Sequence, residues 1–335
     1  MKVAFDTRPL SDAHGIGRYA RCLLRALRTT AEATDEVIEV GRPTTMLRSR
    51  SADVFHAPWM SGAMLRSPCP MVVTVHDLSA LKRRSEHLRG GVRLRLRHLA
   101  VQRAPGVVVP SATVARDVVE SLEIERERIA VIPHAPDRAM RPRSEAEVAA
   151  VRSRLELPER YLVSVGSLEH PDPGKHVAEL AAAERELPLV MVGQTRPWAH
   201  ELPGVILTGH VSDEQLAAIY TGAHALVLSS DSEGFGLSAV EALACGTPVA
   251  SFRVPALVEV LGERIAYAEL GDMCGLMTAA QSLSRPAPAP PRWSWDDAAS
   301  ATWSAYRRAA EAAAQTAVAR PLRRRPRSAG GLEAR

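Results

Sequence analysis

The segment ALVLSSDSEGFGLSAVEALACGTPVASF, Ala225 to Phe252, decides how the chain folds. ALVLSS is a short apolar run of the kind that forms a buried strand, and PVASF is another. Between them, GFGLSAVEALACG opens a helix. Strand, helix and strand in so short a span make a parallel pair joined by a helical crossover. Gly234 and Gly236 permit a tight turn and a close approach by a ligand.

The same alternation extends in both directions. KVAF, DVFHAP, MVVTVHD, GVVVP and IAVIP read as strands in the first part of the chain. Helical stretches lie between them over Gly15 to Leu27, Glu86 to Arg103 and Ser111 to Leu122, with Ser111 suited to an N-cap. DRAMRPRSEAE is charged, carries Pro142 and suits a linker. YLVSVG, PLVMVG, VILTG, ALVLSS and PVASF form a second series. The expectation is α/β: two doubly wound, Rossmann-like domains facing a cleft, with ligands beyond the C-terminal ends of the strands. The boundaries expected are 1–140 and 141–293. RPAPAPP then breaks the chain before a helix over 294–315.

Composition agrees with a globular chain of two domains. Of 335 residues, 46% are hydrophobic and 24% charged. No apolar run approaches the roughly 20 residues that span a bilayer. MKVAFDTRPL is too polar for a signal peptide, so the expected location is cytoplasmic. Cys22, Cys69, Cys245 and Cys274 show no zinc-type spacing and read as reduced thiols. The tail over 316–335 is rich in Arg, Pro and Gly, which predicts disorder.

The chemistry starts from the mouth of the helix after ALVLSS. Its first backbone N–H groups lack intrahelical partners, and the helix dipole favours an anion there. A phosphate is the natural ligand. Glu241 lies one turn inside the helix, and its side chain leans back toward that mouth. A carboxylate does not share a site comfortably with phosphate, but it accepts hydrogen bonds from a vicinal diol such as ribose. Glu233, before the turn, can do the same for another polyhydroxyl group. A diphosphate flanked by two hydroxyl-bearing groups is a nucleotide sugar. Read alone, either acid could merely favour the helix N-terminus, which is worth about 0.3–1 kcal/mol.

Several stretches, taken in order, resemble family-4 retaining glycosyltransferases of the GT-B fold, in their mannosyltransferase-like branch. The segment from Glu233 to Glu241 is similar to the family's E-x7-E motif, followed by EALACGTPV. GIGRYARCLLRAL, DVFHAPW, VVTVHDL and VPALVEVLG resemble further family segments. WSWDDAASATWSAYRRA resembles a C-terminal helix crossing back to the N-terminal domain. The resemblance implies that Glu241 binds the donor ribose and Glu233 the hydroxyls of the transferred sugar. The Phe235, Gly236 and Leu237 backbone would face sugar and diphosphate. Lys175 would neutralise the diphosphate, His76 would stand near the reacting sugar, and Gly15 and Gly17 would close over the phosphates. Ser167 stands where the family often has an arginine, and His134 replaces an asparagine of the usual hinge-side motif. Both departures imply that phosphate is handled differently here.

The resemblance further implies a metal-independent hexosyltransferase with no cofactor, with GDP-mannose as the first donor to consider. The acceptor would be a glycan, a lipid-linked molecule or a small molecule. A catalytically weak nucleotide-sugar-binding partner subunit and a non-hydrolysing sugar-nucleotide epimerase are the alternatives. LKRRSEHLRGGVRLRLRHLAVQR carries eight Lys or Arg residues against one Glu. It reads either as a solvated helix or as a contact with an anionic membrane or a phosphate-bearing acceptor. No aromatic residues interleave with these charges, so nucleic acid is not the expected partner.

Overall fold

In the computed structural model the described residues are 1–12, 15–41, 52–79, 92 and 95–319. They form two six-stranded, fully parallel sheets. The first contains β1 (Lys2–Asp6), β2 (Glu36–Val40), β3 (Val54–Ala57), β4 (Met71–Thr74), β5 (Gly106–Val109) and β6 (Ile129–Val131), in the order β2-β1-β3-β4-β5-β6. The second contains β7 (Leu162–Val165), β8 (Leu189–Val192), β9 (Val205–Gly209), β10 (Ala225–Leu228), β11 (Val249–Phe252) and β12 (Ala266–Ala268), in the order β12-β11-β10-β7-β8-β9. Its strand order reverses at β7, which has β8 on one side and β10 on the other. A crevice opens at such a point, beyond the strands' C-terminal ends.

The expected strands are present because their side chains are buried on both faces. Val54 to Ala57, Met71 to Thr74 and Ala225 to Leu228 are buried throughout. Two strands have no counterpart in the sequence reading, β2 and β12. Both are sheet edges, β12 is only three residues long, and both are partly exposed, so neither shows an apolar run.

Helices cover both sheets. Those used below are α1 (Gly15–Thr29), α2 (Ala112–Leu122), α3 (Glu145–Arg154), α4 (Val177–Ala182), α5 (Asp213–Gly222), α6 (Leu237–Ala244), α7 (Pro255–Leu261), α8 (Met273–Ser282) and α9 (Trp295–Ala319). Ser111 caps α2, its hydroxyl accepting from the Val114 N–H at 3.2 Å. Of the stretch expected to be helical over 86–103, the described part is helical at 92 and over 95–102. Arg89 and Arg93 lie outside the described residues. α9 continues past the expected end at 315, and the tail beyond 319 lies outside the described residues. Cys22 and Cys245 are buried, Cys69 is half-buried and Cys274 is exposed, all as free thiols.

α9 crosses from the second sheet back to the first. Trp295, Trp303 and Tyr306 share one apolar core with Leu23 and Leu27 of α1 and with Val3, Phe5 and Val54. Beneath it runs a buried polar chain. The Tyr306 hydroxyl meets His56 Nδ1 at 2.6 Å, His56 Nε2 meets Thr74 at 2.9 Å, and Thr74 meets the Tyr19 hydroxyl at 2.9 Å. Buried polar groups are tolerated when each has a partner.

The two halves also interlock directly. Ser111 donates to the Gly234 carbonyl at 2.8 Å. Glu259 on α7 accepts from the Ala112 and Thr113 N–H groups at 2.6 and 2.7 Å, so α2 is capped by a carboxylate from the other half. The E-x7-E turn is thereby held against the first sheet.

Candidate active site between the two sheets

A cavity of about 520 Å³ lies beyond the C-terminal ends of β7, β8 and β10. Among the sequence-derived site residues, Gly15, Ser167, Lys175, Glu233, Leu237 and Glu241 line it. These come from α1, the loops after β7 and β10, and α6. The topology therefore brings to one place residues dispersed over most of the chain.

Glu233 sits in the turn after β10 and Glu241 one turn into α6. Gly236, the N-cap of α6, has φ of 82°, the left-handed region that favours glycine. A Cβ there would lie 2.2 Å from Leu257 Cδ2. Gly236 thus shapes the turn and lets α6 pack on α7. Phe235 is buried and turned away from the cavity, packing on His134 and Trp293 at ring separations of 4.8 and 5.5 Å. Its side chain anchors the turn, which leaves the expected ligand role to its backbone.

Each glutamate faces a cation. Lys175 Nζ donates to Glu233 Oε1 at 2.7 Å. Burial works against the lysine's charge, but the Glu233 carboxylate outweighs it and the Lys175 pKa is raised. Glu241, only 3% exposed, lies with Oε1 3.1 Å from Arg18 Nη1. Arg18 Nη2 also donates to Asp213 Oδ1 at 2.6 Å. Burial pushes the Glu241 pKa up to about 7, with Arg18 opposing and Asp213 and Asp137 adding to it. Its charged form is therefore less favoured near neutral pH than that of an ordinary glutamate.

Arg18 and Asp213 were not among the expected site residues. Arg18 belongs to GIGRYA, next to Gly15 and Gly17, and a cation in the first turn of a helix opening on the cleft was the signal. Asp213 had none beyond its place at a helix start. Gly17 does not line the cavity. A Cβ on it would lie 2.0 Å from the Asp12 carbonyl oxygen, so its smallness lets α1 begin tight against the preceding loop. Ser167 lines the cavity without supplying charge.

His76 follows β4 on the opposite wall and is not among the cavity's lining residues. Its Nε2 is 2.9 Å from the Pro58 carbonyl, so that nitrogen carries the proton and Nδ1 is the acceptor. Burial lowers its pKa despite that hydrogen bond, and the ring is neutral at pH 7. Its backbone touches the E-x7-E turn, where a Cβ on Gly234 would lie 1.8 Å from the His76 carbonyl oxygen. His134 is buried within reach of Tyr19, His76, Phe235 and Trp295, so its role is packing at the seam between the halves.

The chain is similar to several known proteins. The family described as Glycosyltransferase Family 4 matches residues 40–139, and Glycosyl transferases group 1 matches residues 149–268. The O-antigen chain mannosyltransferase B of Escherichia coli is 26% identical over 255 residues, covering 69% of this chain and 65% of that protein. The 2-deoxystreptamine glucosyltransferase of Streptomyces kanamyceticus is 29% identical over 180 residues, or 49% of this chain and 46% of that protein. A D-inositol 3-phosphate glycosyltransferase of Acidothermus cellulolyticus is 32% identical, over 61% of this chain and 53% of that protein. The chain thus spans between about half and two thirds of the length of these relatives.

Among solved structures, Anabaena Alr3699/HepE in complex with UDP-glucose superposes with a TM-score of 0.65 at 16% identity, covering 95% of this chain and 98% of that one. WaaG, a glycosyltransferase involved in lipopolysaccharide biosynthesis, gives 0.65 at 14% identity, covering 96% of each. The two family matches fall on the first and second sheets in turn and together cover about two thirds of the chain; the superpositions show the GT-B fold, and the two matches show that the chain belongs to glycosyltransferase family 4.

Proposed function

We propose that the protein is a retaining hexosyltransferase that moves a sugar from a nucleotide sugar to a hydroxyl acceptor in glycan or glycolipid synthesis. The observation that carries this reading is the pair Glu233 and Glu241 on one cavity, flanking the mouth of α6, each facing a cation. Glu241 would accept from the ribose diol and Glu233 from the hydroxyls of the sugar. The diphosphate would lie between them, against the first N–H groups of α6 and Lys175. Residues 141–293 would hold this donor. Residues 1–140, completed by the helix over 294–315, would hold the acceptor, with His76 near the reacting carbon.

In the step proposed, the bond from the anomeric carbon to the β-phosphate oxygen breaks as the acceptor oxygen attacks from the same face. The acceptor proton passes to the departing phosphate oxygen. Lys175 and the α6 N–H groups stabilise the charge gathering on that leaving group. The mannosyltransferase among the relatives makes GDP-mannose the first donor to try, and the glucosyltransferase makes UDP-glucose the second. Release of nucleoside diphosphate across GDP-, UDP- and ADP-sugars tests the reading. Release from one class, with the anomeric configuration retained in the product, supports it. Binding without release from any donor would instead leave a nucleotide-sugar-binding subunit.

The ribose role of Glu241 has a pH signature. A charged carboxylate accepts from both hydroxyls of a diol, and the charged form is lost as pH falls through about 7. Affinity for the free nucleoside, which has no phosphate to titrate, should therefore fall several-fold between pH 8 and pH 6. Glu241→Gln should bind about 10- to 100-fold more weakly and lose that pH dependence. A pH-independent wild type in calorimetry would remove the ribose assignment.

A membrane contact is also proposed. Val92, Leu96 and Leu99 are exposed, as are Arg95 and Arg97, and apolar residues beside cations suit an anionic leaflet. No helix among the described residues is long and apolar enough to cross a membrane. The wild type should sediment with phosphatidylglycerol vesicles at low salt, and a Leu96→Ser, Leu99→Ser double variant should not. Wild type left in the supernatant sinks the proposal.

A further inference from the structure

The geometry points to Arg18 as a second anion-binding cation of the donor site, held against Glu241 and Asp213 in the empty protein and turned to the diphosphate when ribose takes Glu241. This rests on the nucleotide-sugar reading above.

Arg18 is placed by rigid parts. Gly17 brings the start of α1 against the loop after β1, and Arg21 donates to the Leu10 and Asp12 carbonyls at 2.8 Å each, holding that loop. From there the Arg18 side chain, 12% exposed, reaches from the first half of the molecule into the cavity of the second. Among the described residues that line the cavity, Arg18 and Lys175 are the two with permanent positive charge. Burial works against the guanidinium's charge, but Glu241 and Asp213 outweigh it and raise the Arg18 pKa.

The two carboxylates hold Arg18 unequally. The contact with Asp213 is a short hydrogen bond at 2.6 Å. The contact with Glu241 is close but poorly aligned. Arg18 Nη1 and Glu241 Oε1 are both buried, and neither has a hydrogen-bond partner of good geometry. A ligand can therefore break the second contact while the first keeps the guanidinium aimed at the cavity.

Charge gives the direction of the exchange. A nucleotide sugar brings two negative charges on its diphosphate to a cavity whose cations are both already paired with carboxylates. Its hydroxyl groups are what Glu241 and Glu233 accept, and its phosphate oxygens are what Arg18 and Lys175 donate to. Entry of the nucleotide trades each internal ion pair for a ligand contact, so neither ion is left bare. The planar guanidinium can donate through two N–H groups to two phosphate oxygens. Because Arg18 stands on α1 and the phosphates on α6, this contact also draws the two halves together over the donor.

The test separates the phosphate role from a purely structural one. Titration calorimetry would compare a free nucleoside with its diphosphate, using the base that the donor panel selects, on wild type, Arg18→Gln and Arg18→Lys. Arg18→Gln should bind the diphosphate at least tenfold more weakly. It should lose much less nucleoside affinity than diphosphate affinity, because the only loss there is the fuller protonation of Glu241 once Arg18 no longer opposes it. Arg18→Lys keeps the charge but not the fork, so it should lose less diphosphate affinity than Arg18→Gln. Should Arg18→Gln fail to fold, the same nucleoside-to-diphosphate comparison on Arg18→Lys decides. Unchanged diphosphate affinity, or equal losses for nucleoside and diphosphate, would overturn the proposal and leave Arg18 as a structural latch. A wild type that binds neither ligand would overturn the donor-site reading itself.

Discussion

Replacing Lys175 with alanine should lower kcat for nucleoside diphosphate release by about 10²–10³-fold while leaving the fold intact. The loss is set by where charge appears. In the ground state Lys175 is partly exposed and already neutralised by Glu233. In the proposed reaction the leaving diphosphate would gain negative charge beside it in the transition state, and a cation placed there in advance is worth most at that moment. Folding should barely respond, because a half-exposed ion pair contributes about 0–1 kcal/mol. Steady-state kinetics with a thermal melt measure both quantities. A variant that melts far lower, or one that keeps wild-type kcat, would show that Lys175 serves the fold or solvent rather than the leaving group.

Gly234→Ala should cost about 100-fold in turnover through a different physical route. The added Cβ would lie 1.8 Å from the His76 carbonyl oxygen and 3.3 Å from Asp77 Cβ. The nearest atom is backbone and cannot rotate away, so the seam must open by an ångström or more. That shift moves Glu233 and Lys175 away from the first sheet. A 1 Å misplacement of reacting groups can cost about 10² in rate. Each half keeps its own core, so circular dichroism should be unchanged and small-angle scattering should report a larger radius of gyration. Wild-type turnover in this variant would mean that the interlocked arrangement is not the one in which chemistry occurs.

Both predictions depend on contacts between residues far apart in the chain, and there the sequence is least informative. Ser111 was expected to cap its own helix and does so, yet it also holds the Gly234 carbonyl of the other half. Gly17 and the Phe235 backbone were expected to face the ligand. Close packing accounts for the smallness of one and the ring of the other, because a glycine or an aromatic in a motif looks alike whether it serves the fold or the substrate. β2 and β12 went unseen because a partly exposed edge strand carries little apolar signal.

The sequence by itself determined the parallel α/β architecture, since a strand buried on both faces must be an unbroken apolar run and its crossover must be a helix. It also determined that Glu233 and Glu241 flank a helix mouth, because eight residues across a glycine turn allow little else. The partners of those glutamates were decided only by tertiary structure. Lys175 lies in another loop of the same sheet, and Arg18 lies 195 residues before Asp213, on the other half of the molecule. Local periodicity records which face of an element is buried. It holds no record of which charge waits on the facing wall, because that depends on how two separately built sheets close on each other.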